Sequence, residues 1–410
     1  MEKEARRPSK KARGTSGDST SGLAALALRL SNKLAACEEH EGKNIMFSPL
    51  SIYTALGLVA AGAQGTTLEE VLAVLGAVSR DEVAGVVRAV AEGALAAADE
   101  DPSRPLVVTT ACGVWCQKDW SLKPAYRQAV VESYNAEVRA LDFVRKAEDS
   151  REEINSWVAE ATKNLITSVL PPGSVHVDTR LVLTNAIYFK GEWEEAFHQS
   201  RTKVNTFYRL DGSAVRVPFM AGSRGREYMV SCYDGFKVLK LPYKQGNNGG
   251  GARYSMCIFL PTARDGLHSL ADQMSSGGPS FLFDHLPTWL ESMTRFGLPK
   301  FKLSFCSSMK EVLESLGLRA AFGDADLSDM VEANYGDISV EDVFHKAVVE
   351  VNEEGTEAAA STAVTMILQC RRPPMDFVAD HPFAFFIVEE VSGVVLFAGH
   401  VIDPSMKTDS

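Results

Sequence analysis

The sequence lacks the segments that would direct a protein into or across a membrane. Its 410 residues contain no apolar run long enough to span a bilayer, which needs about 18 such residues. The N-terminal segment has no apolar core of the kind that a signal peptide needs, and no Asn-x-Ser/Thr acceptor occurs. These absences predict a cytoplasmic protein without membrane contact. The net charge of −11 argues against a body built to bind nucleic acid.

The sequence also lacks the common catalytic and metal-binding patterns. No H-E-x-x-H, Walker or G-x-S-x-G motif occurs, although a Ser-His-Asp site assembled from distant residues would leave no local pattern. Cys112 and Cys116 are the closest of seven cysteines, but no second Cys/His pair completes a zinc site. His40 stands among glutamates, and we interpret it as part of a solvated helix end. We therefore predict reduced thiols, no metal site and no cofactor.

Both ends of the chain are polar. Residues 1–22 carry six basic residues against three acidic ones, and we predict that they form a disordered tail. A solvated tail is the simpler interpretation; a nuclear address and an anionic contact are the alternatives. Residues 406–410 are expected to form a short C-terminal tail.

Helical patterns cluster early in the chain. Leucines from Leu23 to Leu34 share one face of a helix, and Ser48-Pro49 opens the next helix. Thr67 and Glu70 have the spacing of a capping box at a further helix start. Residues 155–170 predict a helix that ends at a Pro-Pro-Gly sequence.

Strand patterns dominate the later part. Residues 106–116 are rich in β-branched side chains, and residues 181–189 are too continuously apolar to be exposed, which predicts a central strand. Two final strands flank a turn at 391–393. The separation of helices from strands indicates an α+β fold rather than a parallel α/β fold.

Several motifs, in order and spacing, resemble those of the serpins. They are NIMFSPLS at 44–51, GAQGTT at 62–67, TNAIYFKGEW at 184–193, HKA at 345–347, EEGTEAAA at 353–360 and FVADHPF at 377–383. LPPGSV at 170–175 resembles the plant serpin-Z branch. The resemblance implies one serpin domain over residues 23–405, with three β-sheets, about nine α-helices and an exposed reactive-centre loop at 353–376.

The resemblance also implies a function. Inhibitory serpins are not enzymes: a target protease attacks the loop as a substrate, and the cut loop enters the main sheet and traps the protease covalently. It implies a monomeric, irreversible suicide inhibitor of serine proteases, with papain-like cysteine proteases or metacaspases as further targets. The alternative within the family is a non-inhibitory serpin with a storage, carrier or chaperone-like role. A nucleic-acid binder that acts through its basic tail is a third hypothesis.

The loop sequence has the properties that insertion requires. Alternate residues of a strand share one face, and the phase that starts at Thr356 is uncharged as far as Leu368. The other phase carries its only charge at Glu357, and no proline lies between Gly355 and Arg372 to break a ladder. The predicted hinge consists of Gly355, Thr356, Glu357, Ala358, Ala359, Ala360 and Ser361.

Family spacing places the bait residue fourteen positions after Gly355, which predicts cleavage between Gln369 and Cys370. Arg371 is the competing bait, because trypsin-like proteases prefer a cation. Cys370 is either an inert residue or a reactive thiol favoured by its arginine neighbours.

Position-matching to the family also implies a group of residues that controls the opening of the main sheet. A hydrogen-bonded cluster beneath the sheet would tie together the strands that must part, and a tryptophan would pack where the loop first enters. These residues are Ser48, Ser51, Asn185, His345 and Trp193.

Overall fold

The computed structural model describes residues 21–37, 40, 42–95, 105–223, 225–245, 251–332, 339–355 and 375–406. The α-helices in these ranges are α1 (Ser21–Ala35), α2 (Pro49–Gly62), α3 (Gly65–Leu75), α4 (Arg80–Val90), α5 (Pro124–Tyr134), α6 (Ala147–Ala161), α7 (Leu267–Ser276), α8 (Phe281–Asp284) and α9 (Lys310–Ser315). None of these described helices is long and apolar enough to cross a membrane.

The described strands are β1 (Ile45–Phe47), β2 (Leu106–Gln117), β3 (Glu137–Leu141), β4 (Leu181–Gly191), β5 (Lys203–Tyr208), β6 (Ala214–Met220), β7 (Glu227–Tyr233), β8 (Phe236–Pro242), β9 (Tyr254–Pro261), β10 (Leu290–Pro299), β11 (Phe301–Ser308), β12 (Val343–Val351), β13 (Met375–Val378), β14 (Phe383–Glu389) and β15 (Val394–Val401). Helices lie mostly in the first half of the chain and strands in the second, which confirms the α+β prediction.

The five-stranded sheet has the order β11-β12-β4-β2-β3. Helix α2 contacts β4 and β2, and helix α6 contacts β2. The α6 side is filled by a separate apolar cluster that includes Trp115, Ile154 and Val158. Because both faces are covered, β4 is apolar along nearly its whole length, and its predicted central position is confirmed.

The remaining strands follow the order β1-β15-β14-β9-β8-β7-β10-β6-β5, and β13 pairs with β10. Strand β10 belongs to two parts of this path. Its first residues pair with β7, whereas Met293–Gly297 pair with β13, and Leu298 and Pro299 pair with β6. The path therefore consists of two sheets joined through β10, and these two with the five-stranded sheet give the three sheets that the resemblance implies.

Helix α2 begins as predicted. Ser48 has extended backbone angles, its Oγ accepts a hydrogen bond from Ser51 N at 3.2 Å, and Pro49 occupies the first helical position. Proline is favoured there because the first N–H groups of a helix have no partner within the helix.

The predicted boundary of the N-terminal tail is wrong by two residues, since α1 starts at Ser21. At Gly22 a Cβ would lie 2.7 Å from Leu75 O, so the backbones approach closely there.

Two predicted helix boundaries are wrong for identifiable reasons. Helix α3 starts at Gly65, and the Oγ1 of Thr67 accepts a hydrogen bond from Asp326 N instead of capping its own helix. Helix α6 ends at Ala161, well before the Pro-Pro-Gly sequence, because Lys163 and Asn164 adopt positive φ angles of 52° and 62°.

The segment after α6 is held by a side chain rather than by helical bonds. The Asn155 Oδ1 accepts hydrogen bonds from Val169 N at 2.8 Å and Leu170 N at 2.9 Å, and its Nδ2 donates to Leu170 O at 2.9 Å. One buried amide thus satisfies three backbone groups that a longer helix would have satisfied.

Candidate functional site: the hinge and the centre of the five-stranded sheet

Strands β4 and β12 are parallel neighbours at the centre of the five-stranded sheet. Their ladder runs from Leu183 paired with Val343 to Tyr188 paired with Val348. Beyond that pair, β12 continues only in its antiparallel ladder with β11, as far as Val351 paired with Phe301. The two central strands therefore separate toward the end at which β12 leads into the predicted loop.

The chain reverses direction in a tight turn directly after β12. Asn352 N donates to Gly355 O at 3.0 Å, and Gly355 N donates to Asn352 O at 3.4 Å. The Asn352 Oδ1 also accepts from Glu354 N at 3.0 Å. The asparagine thus fixes the turn through its backbone and its side chain together.

Gly355 closes the gap between the two separated strands. It bridges to Glu192, and Trp193 N donates to Glu354 O at 3.1 Å. Its φ of +109° favours glycine, and an added Cβ would lie 2.4 Å from both Gly191 O and Trp193 N. The sequence predicts glycine here for a change of dihedral angle; the structure adds a backbone contact too close for any other residue.

Trp193 lies at the same place. It is 1% exposed, stacks on Tyr243 with ring centroids 4.6 Å apart, and donates from Nε1 to Asn352 O at 2.9 Å. The tryptophan therefore packs where the central strands diverge and holds the turn by a hydrogen bond. Its role in loop entry stays a prediction.

Glu353, which the sequence did not single out, anchors the turn to the rest of the protein. Its buried carboxylate lies 2.7 Å from Lys300 Nζ and accepts from Thr202 Oγ1 at 2.6 Å. Its carbonyl accepts from Phe197 N at 2.7 Å. Burial by itself would raise the pKa of Glu353. The hydrogen bonds from Lys300 and Thr202, together with the charge of Lys300, outweigh burial, so the pKa lies below its usual value.

The four polar residues implied to lie beneath the sheet are close together. His345 and Asn185 are paired across β12 and β4. Ser48 N donates to His345 Nε2 at 3.0 Å, and Asn185 Nδ2 donates to Ser51 O at 2.6 Å. The start of α2 is thereby bonded to both central strands. That these bonds control sheet opening stays a prediction.

This cluster contains polar atoms that are only partly satisfied. The Ser51 Oγ and the His345 Nδ1 are buried without a hydrogen-bond partner among the described residues. Burial lowers the pKa of His345 to about 3. His345 is therefore neutral, as an Nε2 that accepts a bond from Ser48 N requires.

Other predicted residues are placed as follows. Cys112 and Cys116 are buried, and burial raises their pKa to about 12 and about 11, which keeps both as thiols. His40 is 8% exposed with its ring 5.2 Å from that of Phe305, so the interpretation of a solvated helix end is wrong. Among the described residues no group of His, Cys, Asp and Glu could hold a metal ion.

Most of the predicted loop residues lie outside the part of the chain that the structure describes. Those residues are Thr356, Glu357, Ala358, Ala359, Ala360, Ser361, Gln369, Cys370 and Arg371.

The buried histidines predict a loss of stability in mild acid. Burial lowers the pKa of His345 to about 3, and burial together with His268 lowers that of His400 to about 4, whereas both titrate near 6.5 in the unfolded chain. The unfolded chain binds more protons below pH 6.5, so the free energy of unfolding should fall by up to about 1.4 kcal/mol per pH unit for each histidine.

Urea unfolding between about pH 7 and pH 4 measures this effect. His345→Gln should reduce the slope, whereas His198→Gln, at an exposed position, should leave it unchanged. Constant stability from pH 7 to about pH 5 would contradict the prediction.

The ion pair between Glu353 and Lys300, which anchors the turn, leads to a second prediction about stability. Glu353→Gln should lower the free energy of unfolding by about 2 kcal/mol, because it removes the charge that pairs with Lys300 in a largely buried position. The neighbouring Lys302–Glu350 pair is the matched control, since its side chains are 59% and 42% exposed. Glu350→Gln should cost less than about 1 kcal/mol. Thermal unfolding measures both variants. An equal decrease in the free energy of unfolding for the two would contradict a special stabilising role of Glu353.

Comparison with known proteins now identifies the family. The family model described as Serpin (serine protease inhibitor) matches residues 21–404. Serpin-Z2A of Oryza sativa subsp. japonica is 51% identical, over 95% of this chain and 98% of its own, and Serpin-Z1A of Triticum aestivum is 45% identical, over 93% and 95%. The solved structure of Arabidopsis AtSerpin1 in its native stressed conformation is 38% identical with a TM-score of 0.87, covering 96% of this chain and all of that one. Both relatives are plant serpins of the Z type, and the chain belongs to the serpin family of serine protease inhibitors.

Proposed function

We propose that the protein is an irreversible suicide inhibitor of serine-type endopeptidases. The observation that carries the proposal is the arrangement at the centre of the five-stranded sheet. Parallel strands β4 and β12 are neighbours over only six residue pairs, and the chain that leaves β12 turns back at Gly355 directly above the gap between them. A segment that continues from Gly355 can therefore enter the sheet at this gap.

Insertion at this gap improves the hydrogen bonding of the sheet. A strand that runs back from Gly355 is antiparallel to both β12 and β4. One parallel ladder is thereby exchanged for two antiparallel ladders, which are slightly more stable per residue. Fourteen residues of strand span about 46 Å, enough to carry an attached protease far along the sheet.

The proposed reaction needs no catalytic group of the inhibitor. The nucleophile of the protease attacks the carbonyl carbon of the bait residue, the peptide bond breaks, and the next residue leaves with a free amino group. The remaining acyl-enzyme is normally hydrolysed by water. Insertion of the loop before hydrolysis drags the protease along and distorts its active site, so the ester persists.

The contacts at the hinge would then set the threshold for insertion. Loop entry has to break the reciprocal Asn352–Gly355 bonds and displace Trp193. The bonds of Asn185 and His345 to the start of α2 would restrain the strands that part. These interactions hold the uncleaved protein in its stressed form, and cleavage supplies the free end that overcomes them.

The bait sequence widens the range of proposed targets. Gln369 is an unusual bait for trypsin-like proteases, whereas Leu368 beside it suits papain-like cysteine proteases, and metacaspases are a further class that Arg371 could serve. We place the protein in the cytoplasm and expect it to act as a monomer; the alternative function of the basic tail is a nuclear address. A storage or carrier role is the alternative, and it predicts cleavage of the loop without trapping.

The alternation of the hinge side chains between the two faces of a strand gives a direct test of insertion. Ala358→Arg should turn the inhibitor into a substrate, because a charged side chain on the inserting face slows entry and lets water hydrolyse the acyl-enzyme. Ala359→Arg is the matched control on the opposite face and should retain trapping. A denaturing gel against a panel of serine and cysteine proteases measures the covalent complex. The proposal fails if the unaltered protein is cleaved in its loop and traps none of them.

The position of the bait can be tested separately. With Gln369 as the bait, Gln369→Ala should slow trapping of the matching protease by about tenfold or more, and Arg371→Ala should change it little. Mass analysis of the released C-terminal fragment locates the cut. A fragment that begins at Arg372 would assign the bait to Arg371 instead.

A further inference from the structure

A pocket lies beside the turn that follows β12. Its volume is about 550 Å³, and it is formed by β6, the adjoining ends of β11 and β12, and the segment after β15. The apolar residues of its lining are Val217, Pro218, Phe301, Val351, Pro404 and Met406. A pocket of this size with an apolar lining suits a small organic molecule rather than a single ion.

Three cations line the same pocket together with one carboxylate. These charged residues are Arg216, Lys300, Lys302 and Glu350. Glu350 lies 2.9 Å from Lys302, and the buried Glu353 lies 2.7 Å from Lys300. Even with Glu353 included, three cations face two carboxylates, so this group is positive although the chain has a net charge of −11.

Arg216 supplies the positive charge that stays unpaired. Its Nη2 donates to Val204 O at 3.2 Å, a carbonyl that the opposite residue, Pro218, cannot satisfy because proline has no N–H. Among the described residues, no carboxylate pairs with Arg216 and no acceptor occupies its other two nitrogens. The Asn352 Nδ2 is a further donor at the pocket, since the described contacts of this side chain use only its Oδ1.

The backbone brings cations from two sheets to one point. Lys300 N donates to Pro218 O at 2.9 Å, so the start of β11 is bonded to β6. Arg216 and Lys302 each lie two residues from this bond, on β6 and β11, which is about 7 Å along a strand. Arginine and lysine side chains are long enough to converge over such distances, so one anionic group can contact several of them.

We propose that this pocket binds a small organic phosphate, a doubly charged head group on an apolar body. The phosphate oxygens accept hydrogen bonds from Arg216 and from the two lysines, while the body packs on the apolar lining. A phosphate has more acceptor oxygens than a carboxylate and can therefore bond to cations that come from different strands. Such bonds between ionised partners are about twice as strong as bonds between neutral groups.

Lys300 couples the pocket to the turn at Gly355. Its side chain lines the pocket, and its Nζ pairs with Glu353, the residue that anchors the turn. A phosphate on Lys300 therefore competes with Glu353 for one ammonium group. Coupling between two sites is reciprocal, so an anion that binds more tightly when the charge of Glu353 is removed also weakens the hold of Glu353 when it binds.

This coupling gives the pocket a regulatory role. The turn that the anion loosens is the one that loop entry has to open, so an occupied pocket lowers the threshold for insertion. The regulatory role rests on the proposed inhibitory function, whereas the binding site does not.

Calorimetric titration with naphthyl phosphate at low ionic strength tests the site. The unaltered protein should bind it at least about tenfold more tightly than naphthol, which lacks the phosphate, or inorganic phosphate, which lacks the apolar body. Arg216→Gln should weaken naphthyl phosphate about tenfold, because it removes charge-assisted bonds, and should leave naphthol unchanged. Arg295→Gln is the matched control, since Arg295 is 68% exposed on β10 and does not line the pocket.

Glu353→Gln tests the coupling in the same titration. It should raise the affinity for naphthyl phosphate by about fivefold or more, because Lys300 loses its competing carboxylate. Thermal unfolding of each variant confirms that it is folded at the temperature of the titration.

Three results would overturn the inference. Naphthyl phosphate that binds no more tightly than inorganic phosphate, or equally well to Arg216→Gln, would remove the site. An unchanged affinity in folded Glu353→Gln would remove the coupling to the turn. No protease is present in these titrations, so their failure leaves the proposed inhibitory function intact, and a protein that traps no protease would leave the binding site intact.

Discussion

The close approach of Gly355 to the end of β4 is the contact on which the rest of the site depends. It fills the point where the two central strands separate, and its backbone meets those of Gly191 and Trp193 at distances that exclude any side chain. The contact lies beyond the last β4–β12 pair, Tyr188 with Val348, where the two strands have already separated. A change at Gly355 therefore affects the ends of both central strands.

Around that contact the protein combines tight and imperfect interactions. Glu353 is buried with a cation and a hydroxyl, whereas the cluster beneath the sheet leaves the Ser51 Oγ and the His345 Nδ1 without partners among the described residues. Unsatisfied buried polar atoms cost stability, and natural proteins retain few of them. Here they lie next to the strands that the proposed mechanism separates, so the cost falls where a marginally stable closed state is useful.

The sequence predicted the class of fold, the central strand and the start of α2 at Ser48, because apolar continuity and the Ser-Pro cap are local signals. It failed where a distant residue decides. Thr67 bonds to Asp326 instead of capping its helix. The early end of α6 is a separate failure with a local cause, the positive φ angles of Lys163 and Asn164. Glu353 escaped notice because its partners, Lys300 and Thr202, are far away in the chain, and no spacing rule connects them.

The stacking of Trp193 on Tyr243 also gives the protein an internal optical signal. Indole emission responds to the polarity around the ring, to stacking and to hydrogen bonding at Nε1, and Trp193 has all three fixed by the closed turn. In the proposed mechanism, a strand that enters beside β4 changes all three together. The emission of Trp193 can therefore report the state of the sheet without an added label.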